Sequence, residues 1–441
     1  MTDSTNPLLD KAYSRLADED EDARVCKDIP DAACNDQPQA FIFHLLALTL
    51  TKLGDTLVSA RLVLPWMLSS LGAGGGFIAA LVPIRESLAL LPQLFVAARM
   101  RAQPIRKWFW VAGSIGQALA LVAMVLALVS LEGTKLGWAV VIALVIFSLA
   151  RGVCSVAIKD VQGKTVSKTR RGRLSGLAAA ASGLLSVLTA LAIMFVPQWL
   201  ALEGTTLLFV ALIGSAACLW FVAALVYAQV PEVAGATDGG GNAISEALAS
   251  LKLVVTDRQF GQFVLARALL VASAFAIPYL VVAIERAGEN SLTSLGSMML
   301  ASGLAGLLAG RWWGRWSDRA SHQVMAAAAW LAALVMGAAT LLLSYAEPWL
   351  ASPWLAAGLI FVAAVAHEGA RVGRKTYLID MANQANRAQY TAVSNTLIGL
   401  VLLAGIWLGA LEQWLGVSAV LATLTGVAIV AGWRALSLPK V

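Results

Sequence analysis

Charge is scarce in this chain. Of its 441 residues only 13% are Asp, Glu, Lys or Arg, whereas 59% are hydrophobic, and the mean hydropathy is +0.76. Soluble globular domains carry about 25% charged residues. The composition therefore argues against a soluble protein and indicates one that is integral to a membrane.

Patterns typical of metal sites and disulfide frameworks are also missing. The chain has four cysteines, and none of them has the spacing of either kind of site. The sequence therefore predicts no metal, no cofactor and no disulfide.

Apolar runs long enough to cross a bilayer occupy most of the chain. About 20 apolar residues span the hydrocarbon core as a helix, and the runs are continuous rather than alternating, which favours helices over a barrel. We therefore predict an all-α polytopic membrane protein with twelve transmembrane helices in two six-helix bundles. The predicted spans are 41–70, 76–98, 107–131, 137–158, 174–196, 205–229, 260–283, 294–313, 323–345, 352–376, 389–411 and 415–435.

The 32 lysines and arginines are distributed unevenly between the predicted loops. If the chain starts inside, the outer loops contain only Lys135 and Arg286, and nearly all the other basic loop residues face the cytoplasm. This asymmetry follows the positive-inside rule. It predicts cytoplasmic termini in a cell membrane, for which we expect the bacterial inner membrane, and it explains the net charge of +6 without a nucleic-acid partner.

Two polar stretches divide the chain. Residues 1–40 include "LADEDEDARVCKD", an acidic segment that predicts a disordered cytoplasmic tail. Residues 230–258 include "GATDGGGNAIS", which is typical of a linker. The predicted units are thus an N-terminal bundle over 41–229 and a C-terminal bundle over 259–441.

The two predicted bundles repeat one another weakly. A shift of 216 residues pairs Lys159 with Lys375 and Arg171 with Arg387, and it also pairs Arg99 with Arg315. All three basic matches fall at predicted cytoplasmic helix ends. This pattern indicates a duplication with parallel topology.

One loop motif identifies a family. In "GRWWGRWSDRASHQ", Gly314, Asp318 and Arg319 fit a signature of Gly, three residues, Asp and then a basic residue. With twelve spans in two parallel halves, the chain resembles the major facilitator superfamily of secondary transporters. The corresponding first-half loop, "AARMRAQPIRKWFW", lacks the glycine and the acid. The glycine-proline signature of many drug/proton antiporters is absent from 174–196.

The resemblance implies a mechanism. Members of this superfamily move small solutes by alternating access, and two bundles rock about a site at the middle of the membrane. Their helices 1, 4, 7 and 10 line the cavity, and the Gly314–Arg319 motif is expected to clamp the cytoplasmic side. The resemblance also implies a small-molecule substrate, a surrounding lipid bilayer and a monomer.

Ten charged or titratable residues fall inside the predicted spans, where an ionised side chain costs about 2.5–3.5 kcal/mol on insertion scales. Six cations outnumber three carboxylates, which favours an anionic or carboxylate-bearing substrate. The carboxylates and the histidine are candidates for proton coupling. The candidate residues are Lys52, Asp55, Arg61, Arg85, Glu86, Arg151, Arg267, His367, Glu368 and Arg371.

Alternatives to these roles stay open at this point. Lys52 and Asp55, three residues apart, would also serve as a neutralised pair that holds helices together. "AHEGAR" permits a membrane-embedded enzyme acting on lipids, although no catalytic spacing supports it. The incomplete first-half motif permits a non-transporting sensor, and facilitated diffusion would need no proton. The absence of a Gly-x-x-x-x-Gly-Lys-Ser/Thr sequence argues against nucleotide hydrolysis by this chain, and we expect no enzyme.

The topology has a direct test. In a chain without native cysteines, a cysteine introduced at Gly74 or Gly288 should react with an impermeant thiol reagent added to intact cells. A cysteine at Gly240 should react only after the cells are opened, because the basic loop residues place it inside. Labelling of Gly240→Cys in intact cells would contradict the inside start.

Overall fold

A computed structural model describes residues 31–90, 102–199, 205–235, 251–288, 292–382 and 387–441, with the single residues 13, 14, 16, 29, 93, 96, 99 and 100. The regular structure in these parts of the chain is helical, without a β-strand. The all-α prediction is confirmed.

Seven helices of eight residues or more lie in the described part of the N-terminal half. They are α1 (Gln37–Leu57), α2 (Val63–Ser70), α3 (Gly75–Leu90), α4 (Lys107–Ser130), α5 (Gly133–Thr165), α6 (Lys168–Trp199) and α7 (Thr205–Ala228).

Six helices of eight residues or more lie in the described part of the C-terminal half. They are α8 (Arg258–Leu269), α9 (Ala272–Ala287), α10 (Leu292–Tyr345), α11 (Pro353–Met381), α12 (Arg387–Ala404) and α13 (Leu408–Leu436). Short 3₁₀ turns precede α11 and α13, at Glu347–Ala351 and Gly405–Trp407.

The number of membrane crossings follows from helix length. Nine helical stretches in the described parts of the chain are long and apolar enough to span a bilayer. Two of them are double length, and each bends at a non-helical residue, Ala320 in α10 and Gly416 in α13. Helix α3 is described over 16 residues, and the described residues 93, 96, 99 and 100 beyond it are also helical, so its full length is not among the stretches counted. The count of twelve therefore stays a prediction.

The first predicted span is interrupted rather than continuous over 41–70. Helix α1 ends at Leu57 and α2 begins at Val63. Pro65 supplies the reason, because a proline ring clashes with the carbonyl of the residue four positions earlier, which here is Arg61. The break turns Arg61 into the space between helices.

The predicted span 260–283 is also broken, between α8 and α9. The Ser273 hydroxyl donates a hydrogen bond to the Leu270 carbonyl at 2.8 Å, and such a bond competes with the helical ladder. At the start of α8, Asp257 accepts from the Phe260 amide at 3.0 Å and from the Tyr390 hydroxyl. The Tyr390 bond, together with that of Phe260, lowers the pKa of Asp257 below its usual value.

The predicted disordered tail needs correction at its end. Residues Asp31–Cys34 and Gln37 onwards are helical, since Gln37 is buried and its side-chain carbonyl accepts the Ser167 amide at 2.8 Å. Cys34 is disulfide-bonded, contrary to the prediction from cysteine spacing. Most of the tail, and residues 236–250 of the predicted linker, lie outside the described residues.

The two halves meet at the end predicted to face outside. The Ser69 hydroxyl at the end of α2 donates to Glu285 of α9. A Cβ added to Gly409 of α13 would lie 2.8 Å from the Ala79 Cβ and 3.0 Å from the Gly76 Cα of α3. Glycine at 409 thus permits backbone contact between the halves.

Gly409→Val should therefore separate the outer ends. We expect an impermeant thiol reagent, added from the outer-loop side, to label Ser59→Cys faster in this variant than in the parent. Gly426→Val is the matched control, because it changes the same helix where nothing lies within 4 Å of the added atom. Equal labelling rates in the two variants would contradict this account of the contact.

Candidate functional site

A cavity of about 620 Å³ lies between the two halves. Helices α1, α3, α5 and α6 supply one wall, and α10 and α11 supply the other. Eight of the ten residues predicted for the site line it: Lys52, Asp55, Arg61, Arg85, Glu86, Arg151, Glu368 and Arg371.

Asp55 on α1 is the most highly connected charge in the cavity. Its Oδ1 accepts from Arg85 Nη2 of α3 at 2.9 Å, and its Oδ2 pairs with Arg151 Nη1 of α5 at 2.5 Å. One carboxylate thus bridges two guanidiniums from different helices. The group of three carries a net positive charge.

Aromatic rings complete the surroundings of both arginines. The Arg85 guanidinium lies 5.1 Å from the centre of the Phe147 ring, and that of Arg151 lies 5.6 Å from the Trp220 ring. A ring face attracts a cation, more strongly where water is excluded. These contacts offset part of the positive charge that Asp55 leaves uncompensated.

Two further ion pairs line the cavity, and each lies within one half. Arg61 Nη2 pairs with Glu86 Oε1 at 2.7 Å in the N-terminal half. Arg371 pairs with Glu368 one turn earlier on α11. Because side chains are 17% to 60% exposed in these pairs, water and solutes reach them from the cavity.

Lys52 is the unpaired cation of the cavity. Its ammonium group forms no ion pair with any described residue, and Asp55 is engaged by Arg85 and Arg151 instead. The interpretation of Lys52 and Asp55 as a pair is wrong, because spacing along one helix says nothing about what neighbouring helices present. The lining residues count five cations against three carboxylates.

The other two predicted site residues lie outside this cavity. Arg267 is buried and donates to Ser394 Oγ at 2.5 Å and Asn395 Oδ1 at 2.8 Å, both on α12. His367 is buried and borders a second, smaller cavity of about 30 Å³. Arg61 and Glu86 border that small cavity too.

Sequence reasoning missed several polar lining residues. Ser182 and Ser186 are four residues apart and so share a face of α6, and Gln93 and Ser302 join them in the cavity wall. Arg374, seven residues after His367, borders the small cavity. The seven-residue spacing put Arg374 on the His367 face, and that spacing was the signal available in the sequence.

The gate motif is helical, where a loop was predicted. Gly314, Asp318 and Arg319 belong to the first part of α10, which ends at the kink at Ala320. Asp318 and Arg319 are exposed, and Asp318 has no hydrogen bond or ion pair with the described part of the chain. The structure therefore does not contain the clamp that the motif is expected to form, and the clamp stays a prediction.

The sequence pattern of the Major Facilitator Superfamily matches residues 45–406. The chain belongs to this superfamily of membrane transporters, whose members are not enzymes. It is an integral membrane protein of the secondary transporter class. A comparison with curated protein sequences finds no match.

Solved structures of similar fold agree with this assignment. A mutant of the nucleoside transporter NupG superposes with a TM-score of 0.68 at 14% identity, covering 92% of this chain and 100% of NupG. The xylose transporter XylE from E. coli, in an inward-open conformation, gives 0.66 at 12% identity, covering 91% and 96%. A peptide transporter POT in complex with sulfate gives 0.67 at 13%, covering 90% and 94%. At these identities the likeness shows the fold alone.

Asp318→Asn tests the gate motif. We expect normal abundance and insertion, because the exposed carboxylate has no partner to lose, but slower transport, because the clamp of the alternate state would lack its acceptor. Asp380→Asn is the control, since Asp380 is a similarly exposed carboxylate at the end of α11. Equal transport by both variants would reduce the motif to a helix end.

Proposed function

We propose that this chain moves a small anionic or carboxylate-bearing solute through the central cavity by alternating access, coupled to protons. The proposal rests above all on the cavity between the halves, whose five cations face three carboxylates. A site with uncompensated positive charge favours anions and disfavours cations.

The geometry of the cavity supports a substrate with one anionic end. Lys52 offers an ammonium group that no described carboxylate neutralises, and the Asp55 group adds a further net positive charge beside it. Serine hydroxyls and Gln93 line the remaining wall and offer hydrogen bonds to a polar body. A carboxylate or phosphate is the group that such donors bind best.

Proton coupling is supported by the position of Asp55. Its carboxylate borders the cavity and holds Arg85 and Arg151, so an arriving proton would release both guanidiniums towards an anionic substrate. Protonation of Asp55 therefore favours binding of an anion, and binding of an anion favours protonation of Asp55. This relation is that of a symporter, with facilitated diffusion as the alternative if Asp55 stays ionised throughout.

The cellular setting belongs to the same proposal. We infer a monomer in a bacterial inner membrane with both termini in the cytoplasm, supported by the asymmetry of the basic loop residues. We expect no nucleic-acid partner, because the net positive charge of the chain is explained by the basic residues of its cytoplasmic loops.

Asp55→Asn tests the coupling. Proteoliposomes are given a panel of labelled carboxylates and phosphates, each beside its neutral amide or ester, with and without a pH gradient. The parent should accumulate an anionic member only with the gradient. Asp55→Asn should lose accumulation but keep exchange of substrate across the membrane, because the amide mimics one fixed protonation state.

Asp160→Asn is the matched control. Asp160 also accepts from an arginine, with Arg106 Nη1 at 2.6 Å, but it lies outside the cavity lining. It should therefore accumulate substrate as the parent does. Uphill transport by Asp55→Asn at the parent's rate would make Asp55 a structural bridge. Equal uptake of neutral and anionic members would contradict the substrate class.

A further inference from the structure

The cavity beside His367 is much smaller than the transport cavity. Its volume is about 30 Å³, which is enough for one water molecule. A monatomic ion needs no more space than that. The cavity adjoins the large one, since Arg61 and Glu86 border both, so a small ligand has a route to it.

Neither ring nitrogen of His367 has a well-formed hydrogen bond. The residue is 7% exposed, and neither Nδ1 nor Nε2 has a partner of normal hydrogen-bond geometry in the described part of the chain. The Ser273 backbone lies close to the ring; its carbonyl is the group able to accept from a ring N–H, and its amide donates to the Leu270 carbonyl at 3.1 Å. Buried polar groups are almost always hydrogen-bonded, so the ring calls for a ligand in the cavity.

Charge decides which ligand fits. Arg61 and Arg374 both border the cavity, and the only described carboxylate on its wall is that of Glu86. Glu86 is already engaged by Arg61 at 2.7 Å. Arg374 forms no ion pair and no hydrogen bond with any described residue. The wall therefore carries two guanidiniums against one carboxylate.

Arg374 is half-buried, and a guanidinium without a contact ion pair is costly where water is partly excluded. The same half of the protein also buries Arg267, which only the neutral Ser394 and Asn395 engage among described residues. A water molecule in the small cavity would satisfy His367 but would leave the positive charge of Arg374 in place. A small anion would compensate the charge of Arg374 and would accept from the one ring nitrogen of His367 that carries a proton, with the guanidiniums as further donors.

We propose that the small cavity formed by Arg61, Glu86, Leu270, Ser273, His367 and Arg374 binds one monovalent anion of chloride size. The ion acts as the fixed counter-charge of Arg374 and is separate from the transported solute. Its binding ties α11 to the break between α8 and α9, so it stabilises the C-terminal half.

Bromide, which substitutes for chloride and scatters anomalously, gives a direct test. Crystals of the full chain grown without halide and soaked in sodium bromide should show one anomalous peak between Arg374 and His367. In solution, replacing sodium gluconate by sodium chloride at constant ionic strength should raise the thermal unfolding temperature of the parent, with saturation as chloride increases.

Two variants separate the site from general salt effects. Arg374→Gln should lose the saturable rise and the bromide peak, because it removes the charge that needs the ion. Arg267→Gln, a change of another buried guanidinium that does not border the cavity, should keep both. Should Arg374→Gln fail to fold, the parent's crystal and chloride titration still decide the matter. An ordered water without bromide, or a bromide peak with no saturable chloride effect, overturns the proposal. Neither readout depends on transport, so a failure here leaves the transport proposal standing.

Discussion

The bridge from Asp55 to Arg85 and Arg151 is the interaction on which the arrangement of the N-terminal half depends. Three charges that are individually costly in a membrane compensate one another only if α1, α3 and α5 are rotated to bring them within 2.9 Å. That rotation places Lys52, one turn before Asp55, on the cavity side of α1. Phe147 and Trp220 then close over the arginines. The wall of the cavity and the packing of the bundle therefore have one electrostatic cause.

The break at Val58–Leu62 follows the same constraint. Pro65 prevents a regular helix through Arg61, and the released segment lets Arg61 reach Glu86 on α3 at 2.7 Å. In a straight helix Arg61 would sit about 120° from Asp55 around the axis. The irregular backbone faces a polar cavity rather than lipid, which is where a membrane protein tolerates unpaired backbone groups.

The residues that line the cavity could be predicted from the sequence, but the contacts between them could not. Charges inside apolar spans are costly enough to predict a lined cavity, and eight of the predicted residues do line it. The predicted pairing of Lys52 with Asp55 was wrong because ion pairs depend on how the other helices are rotated about their axes. Asp55 pairs with Arg85 and Arg151 and not with Lys52, its neighbour on α1. The predicted helix bounds were wrong where a side chain bonds to the backbone, as Ser273 does. The predicted loop between spans 294–313 and 323–345 was wrong because α10 continues through a kink at Ala320 instead.

The distribution of ion pairs has a consequence for alternating access. Among the pairs formed by described residues, none joins the two halves: Asp55 and Glu86 bind arginines of the N-terminal half, and Glu368 binds Arg371 of its own helix. Rocking of the bundles would therefore separate no cavity ion pair, a step that would expose bare charge in a medium of low dielectric constant. The contacts that it must break are hydrogen bonds and close packing: Ser69 donates to Glu285, Ser87 of α3 donates to the Gly399 carbonyl of α12 at 2.7 Å, and Gly409 touches α3. A solute whose anionic group binds Lys52 on one half while its body contacts the other would supply the interaction between halves that the protein's own charges leave out.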